Sequence, residues 1–176
     1  PRLLERMAEG RAVVLESAAG TPLDSDPGYK LVAEAIAAGH RVVPIPGASA
    51  MLAALVASGL PSDAFLFAGF LAVKTEARRR RLEDLARVPA TLIFYESPHR
   101  LADTLVDLAA VFGDARPGVV ARELTKHFEE VVRAPLGELA RIFAERTGQG
   151  EIGLLVGPPS EEAVSEGDVD AMLRAA

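Results

Sequence analysis

Short apolar runs alternate along this chain with longer stretches in which apolar residues recur every three or four positions. The runs Ala12–Leu15, Arg41–Ile45, Phe65–Phe70, Thr91–Tyr95, Gly118–Arg122, Glu129–Ala134 and Gly150–Val156 predict strands. The periodic stretches Arg2–Glu9, Tyr29–Ala38, Ala50–Ser58, Glu76–Ala86, Leu101–Phe112 and Leu136–Glu145 predict helices. Gly10 and Gly39 stand where helices stop, Ser49 where one is N-capped, and Ser97-Pro98 where another opens. Thr91–Tyr95 is apolar without interruption and predicts a strand buried on both faces. Glu129–Ala134 predicts an antiparallel edge strand. The class is α/β. Turn residues at Gly59–Asp63 predict a domain boundary near residue 62, giving domains at 1–62 and 63–157. From Pro158 to Ala176 the chain turns small and acidic, which predicts a tail with one marginal helix at Asp168–Arg174.

Three loops of small residues follow three of the apolar runs: Ser17–Gly28, Pro46–Ser49 and Glu96–His99. In a sheet of parallel strands such loops share one edge, where α/β proteins place their ligands. The first is long for a βα connection, which usually takes about 2–6 residues. Gly20 and Gly28 open backbone angles closed to other residues, and Pro22 and Pro27 fix φ, so the loop is shaped for binding. No G-x-x-x-x-G-K-[ST] and no strand-borne G-x-G-x-x-G occurs, which argues against a nucleoside triphosphate or a dinucleotide.

Composition narrows the chemistry further. The 176 residues include no cysteine, which excludes disulfides and thiolate metal sites. His40, His99 and His127 lack zinc-type spacing, so no metal is expected. No apolar stretch approaches the roughly 20 residues of a membrane span, and no signal-peptide pattern opens the chain. A soluble, cytoplasmic protein follows as the expectation. The chain opens on Pro1 with a helix leading straight into a strand, which predicts a start inside a fold. Net charge is −6, yet Lys74, Arg78, Arg79, Arg80, Arg81 and Arg87 crowd one helix. Such a run is either a solvated helix face or a local phosphate contact.

The wording of the loops then becomes informative. Ser17-Ala18-Ala19-Gly20-Thr21-Pro22-Leu23-Asp24-Ser25-Asp26-Pro27-Gly28 resembles the S-D-A-G-T-P-L-I-S-D-P-G signature of the bacterial 16S ribosomal RNA ribose 2′-O-methyltransferases. Val43–Ala50, Phe67–Leu71, Leu92–Arg100 and Ala121–Lys126 resemble that family's later signatures, in order and at matching spacing from about Leu3 to Val156. Ala18 stands where the family has an acid, Asp24 where it has an apolar residue, Ala68 before Gly69 where it has an acid, and Ala72 where it has a proline. The family's first strand and its glycine loop have no counterpart here.

The resemblance implies two α/β domains of the tetrapyrrole-methylase type, the class III S-adenosylmethionine-dependent fold, with an incomplete N-terminal domain. It implies S-adenosylmethionine bent into the cleft between them, with Gly20, Thr21, Pro22, Leu23, Ser49 and Ala50 along one side and Tyr95, Gly150 and Glu151 at the adenine end. Glycines suit that task, since they let carbonyl oxygens approach a sulfonium. The implied reaction is methyl transfer to the ribose 2′-hydroxyl of a cytidine in 16S rRNA of the small ribosomal subunit, by a homodimer. In-line transfer needs alignment and a base or a polarising cation. Glu96, His99, Glu123 and Lys126 are the candidates, on loops expected at the cleft. Lys74, Arg78, Arg79, Arg80 and Arg81 are the candidate RNA contacts. Two other readings compete: a small-molecule methylase acting on a tetrapyrrole, and an inactive truncated domain that scaffolds or dimerises.

Overall fold

The computed structural model describes residues 2–18, 20–22, 28–146 and 150–160. By packing, the chain divides into two compact units, Pro1–Ala50 and Met51–Ala176.

The first unit carries helices α1 (Arg2–Ala8) and α2 (Tyr29–Ala37). Both end as the sequence predicts. Gly10 and Gly39 take φ of 82° and 80°. Arg11 N–H donates to Arg6 O and His40 N–H to Ala35 O, which closes each helix with the six-to-one bond of a glycine C-cap. The strands expected at Ala12–Leu15 and Arg41–Ile45 are absent: neither segment carries strand pairing. A strand is made by its neighbour, and an apolar run without one leaves its side chains in solvent. Val14 is 82% exposed and Ile45 79%.

The second unit is built on one five-stranded sheet. Helix α3 (Ala50–Ser58) leads into β1 (Phe65–Phe70), α4 (Thr75–Leu85), β2 (Thr91–Glu96), α5 (Leu101–Phe112), β3 (Pro117–Arg122), β4 (Glu130–Pro135), α6 (Leu136–Phe143) and β5 (Ile152–Val156). The strand order is β1-β2-β5-β3-β4. β1 runs parallel to β2, whereas β5 runs antiparallel to both β2 and β3, and β4 antiparallel to β3. Strands β1, β2 and β3 therefore point one way and end on one edge of the sheet. β4 and β5 begin on that edge. The predicted edge strand is β4, found antiparallel at the rim.

Alternation along the strands fills two cores. Leu92, Phe94, Val120, Ile152, Leu154 and Val156 face α4, α5 and α6 and pack with Leu82, Leu105, Leu108, Leu136, Leu139 and Phe143. Ile93, Val119, Ala121 and Leu155 face the other way, against Ala54 and Leu55 of α3. A Cβ on Gly153 would lie 3.3 Å from the Ala54 methyl, so α3 sits close over the sheet there. Arg133 on β4 donates from Nε to Ser58 O and from Nη2 to Ala57 O. It thereby caps the carbonyl end of α3 with a cation, the charge that end attracts.

Candidate functional site at one edge of the sheet

The register places Glu96, Ile152, Arg122 and Glu130 side by side across β2, β5, β3 and β4. One step beyond that row lie Ser97, Glu151 and Glu123. The edge thus collects the turns that carry Glu96, His99, Glu123, Lys126 and Glu151.

Glu123 and Lys126 are brought together as the centre of a charged clasp. Lys126 Nζ donates to Glu123 Oε1 at 2.9 Å and to Glu151 Oε2 at 2.8 Å. Glu151 N–H donates to Glu123 Oε1 at 2.9 Å, and Glu123 N–H donates back to Glu151 O at 3.0 Å. The backbone holding this clasp is strained. Glu123 has φ of 49° and Thr125 of 65°, a region that side chains disfavour, most of all β-branched ones. Such strain gathers where a site must be held in one shape. Gly150, at φ 104°, is fixed by the same contact, because a Cβ there would overlap the Glu123 carboxylate. The Lys126 ammonium and the Glu151 amide hold the Glu123 carboxyl below the ordinary glutamate range. Hydrogen bonds to Glu151 and Glu123 raise the Lys126 amine above its ordinary value. At neutral pH the clasp is a protonated lysine between two carboxylates, a fixed cationic donor.

Glu96 is differently placed. It lies buried on the helical side of the sheet, 2% exposed, with both oxygens engaged. Oε2 accepts from Arg100 Nη2 at 2.8 Å and Thr104 Oγ1 at 2.7 Å, and Oε1 from the Ser97 amide at 2.7 Å. Arg100 Nη2 also donates to Leu71 O at 2.9 Å, which ties the turn after β1 to the turn after β2. Helix α5 begins at Leu101, one turn later than Ser97-Pro98 predicts, because residues 98–100 form a separate turn closed by Arg100 N–H on Ser97 O. His99 sits exposed in that turn. Arg100 and Thr104 were not foreseen. The spacing of Glu96, Arg100 and Thr104 at four-residue intervals was the available signal.

Tyr95 is on the opposite face of the sheet from Glu96. Its hydroxyl accepts from Met51 N–H at 3.1 Å, at the start of α3. Its ring meets Phe67 edge-on, centroids 4.9 Å apart, and Phe70 at 5.6 Å.

Within the first unit, Thr21 Oγ1 donates to Ala48 O at 2.9 Å, so two of the three small-residue loops are stapled to each other. Gly20 takes φ of 76°, and a Cβ on it would come within 3.3 Å of Ala48 O. A Cβ on Gly47 would lie 3.4 Å from Thr21 Oγ1. At Gly20 both the positive φ and the close approach of Ala48 O favour a residue without a side chain. Pro22 and Ser49 are half-buried and Ala50 exposed. Leu23 lies outside the described residues.

The basic helix is α4, and one prediction on it is corrected. Arg78 is not a surface contact: it is 4% exposed and donates from Nε to Asp107 Oδ2 at 2.6 Å. Arg79 donates to the other oxygen of the same buried carboxylate, also at 2.6 Å, with its side chain 49% exposed. Arg78 shares a helix face with Leu82 and Leu85, and that face is the buried one. Lys74, Arg79, Arg80 and Arg81 stay exposed. Among the described residues no group of histidine, aspartate and glutamate side chains is arranged to hold a metal, and no helix is long and apolar enough to cross a membrane.

Comparison with known proteins now decides the lineage. The profile of the tetrapyrrole (corrin/porphyrin) methylases matches residues 1–140. The chain belongs to this family. It is similar to the ribosomal RNA small subunit methyltransferase I of Mesorhizobium japonicum, 55% identical over 174 residues, covering 98% of this chain and 59% of that protein. The protein of the same name from Pseudomonas aeruginosa is 50% identical over 169 residues, covering 93% and 60%. The chain thus spans about three fifths of the length of these curated relatives. Among solved structures it resembles the methyltransferase CobJ, with a TM-score of 0.65 at 26% identity over 89% of this chain and 69% of that one. It shares its fold with diphthine synthase, with a TM-score of 0.64 at 20% identity over 89% and 63%. The class III methyltransferase fold expected from the tetrapyrrole-methylase resemblance is borne out.

Proposed function

We propose that this chain is part of an S-adenosylmethionine-dependent methyltransferase that methylates the ribose 2′-hydroxyl of a cytidine in 16S rRNA of the small ribosomal subunit. The observation that carries this reading is the identity of 55% sustained over 174 residues with a ribosomal RNA small subunit methyltransferase I. By this reading the enzyme works in the cytoplasm as a homodimer. Residues 1–62 supply cofactor loops of the first domain, and residues 63–157 form the second α/β domain.

S-adenosylmethionine, when bound, supplies an electrophilic methyl group. The small, carbonyl-rich staple of Gly20, Thr21 and Ala48 fits such a sulfonium, and Pro22, Leu23, Ser49 and Ala50 would hold it with them. Tyr95, Gly150 and Glu151 are retained as cofactor-side residues of the second unit. Lys126, kept protonated by Glu123 and Glu151, would receive the acceptor oxygen and make its hydroxyl easier to deprotonate. Glu123, with its lowered pKa, orients that lysine rather than taking the proton at rest. His99, exposed two strand positions away, is the remaining candidate for the proton. Glu96 positions the turns from within. Lys74, Arg79, Arg80 and Arg81 are the phosphate contacts.

The test is transfer of a labelled methyl group from S-adenosylmethionine to purified small ribosomal subunits. Incorporation at a cytidine ribose is the expected result. Methylation of a tetrapyrrole acceptor instead would establish the small-molecule reading. A folded protein that gives no heat with S-adenosylhomocysteine in calorimetry would establish the scaffold.

A further inference from the structure

Phe70 is an aromatic ring left in solvent where the fold had the means to bury it. It ends β1 on the charged edge and is 61% exposed. Yet it is not loose. Its ring rests on Tyr95 at 5.6 Å, Tyr95 rests on Phe67 at 4.9 Å, and the Tyr95 hydroxyl is pinned by the Met51 amide. The chain beyond Phe70 is held too, for Leu71 is 4% exposed and its carbonyl accepts from Arg100, itself locked to buried Glu96. Three of the nine phenylalanines and tyrosines in the whole chain thus line up, two half-buried and the third at the surface. The last of them is presented on a rigid mount.

The surroundings say what kind of partner suits it. Lys74, exposed at the head of α4, follows four residues later on the same edge, and Lys126 stands exposed on that edge in the turn after β3. Along the same edge, Phe128 is 67% exposed with its ring on His127 at 4.8 Å. β1 and β3 are three strand spacings apart, about 14 Å. Rigid exposed rings interleaved with cations are the means by which proteins grip unpaired nucleic acid: the rings take bases, the cations take phosphates.

We propose that Phe70, propped by Tyr95 and fixed by the Glu96–Arg100–Leu71 tie, is a stacking platform for an unpaired base of the RNA substrate. This rests on the RNA-methylating reading and adds to it the form in which the RNA is engaged, splayed single strand rather than duplex.

The experiment uses the protein with an unstructured oligoribonucleotide of about ten residues carrying 2-aminopurine, whose fluorescence falls on stacking. Phe70→Ala is expected to weaken binding about five- to a hundredfold and to abolish the quench. Phe70→Leu, which keeps an apolar side chain, is expected to lose binding like Phe70→Ala, and Phe70→Trp to restore it. The salt dependence should keep its slope in all three, because no phosphate contact changes. The exposure of the ring leaves the fold undisturbed, which unchanged melting temperatures would verify. Quenching and affinity equal to wild type in Phe70→Ala would overturn the platform while leaving the RNA reading intact. A wild-type protein that binds neither this RNA nor small subunits would overturn both. A platform for duplex is excluded if the same oligoribonucleotide annealed to its complement binds more weakly, and the proposal fails if that duplex binds more tightly.

Discussion

Glu96 ends β2 and Glu123 lies one residue past the end of β3 on the same sheet edge, each paired with a cation three or four residues later. Their surroundings set them apart. The Glu96 side chain is fully buried and its oxygens are consumed by a guanidinium, a hydroxyl and an amide. The Glu123 side chain is 17% exposed beside a lysine 48% exposed, on a backbone bent into a disfavoured region. The first arrangement spends a charge on holding two turns together. The second keeps a charge where a ligand can meet it, and stores strain in doing so. Burial with full hydrogen bonding marks architecture, and exposure with strain marks chemistry.

The largest effect expected from breaking this contrast is on the buried side. Glu96→Gln leaves Arg100 without its anion and should lower stability by about 3 kcal/mol. For a domain of this size that is a fall in Tm of about 6–12 °C. An unchanged Tm would remove the architectural role. Gly150→Ala comes next: the positive φ and the overlap with Glu123 together should cost about 1–3 kcal/mol. Combining it with Glu123→Ala should recover the overlap part alone, which a double-mutant cycle would separate. Glu123→Gln by itself should lower the urea midpoint only slightly at neutral pH, as expected of a partly exposed pair. Its effect appears in catalysis instead, with methyl transfer lost and S-adenosylhomocysteine affinity within a few fold. Unaltered turnover would return Glu123 to a structural part.

The smallest effect is on pH. Glu123 has a lowered pKa, so its contribution to stability is present above the ordinary glutamate value, about 4.3, and fades as pH falls through its lower folded value. Lys126 has a raised pKa, so its contribution is present below about pH 10.4 and fades as pH rises through its higher folded value. The clasp should therefore hold across the whole neutral range. Urea midpoints compared between wild type and Glu123→Gln should differ across the neutral range and converge at both ends, in acid and again above the ordinary lysine range.

Much of the second unit was legible because its elements are short and strongly patterned. Phe65–Phe70 has the same limits in sequence and structure, the amphipathic stretch Leu101–Phe112 is α5, and the unbroken run at Thr91 did mean burial on both faces. The first unit was less so. Val13-Val14-Leu15 and Val42-Val43 have strand composition, but pairing is a property of two segments, and one segment's sequence does not supply the other. At the site, the grouping of Glu123 with Lys126 came from local spacing. The inward turn of Arg78 did not, because Asp107 lies 29 positions away and nothing local announces a buried acid. The helical spacing of Arg78 with Leu82 and Leu85 was the trace it left.

The last strand among the described residues, β5, lies at the middle of the sheet, hydrogen-bonded to β2 on one side and β3 on the other. A ribosome building this chain therefore delivers two separate ribbons, β1-β2 and β3-β4, well before it delivers the piece that joins them. Until Ile152–Val156 emerges, the inner edges of both ribbons are open to pairing with foreign strands. Closure is a late and long-range event, the kind that slows folding. A protein of this design leans on whatever shields nascent chains, and its two ribbons become a single sheet only once Ile152–Val156 has been made.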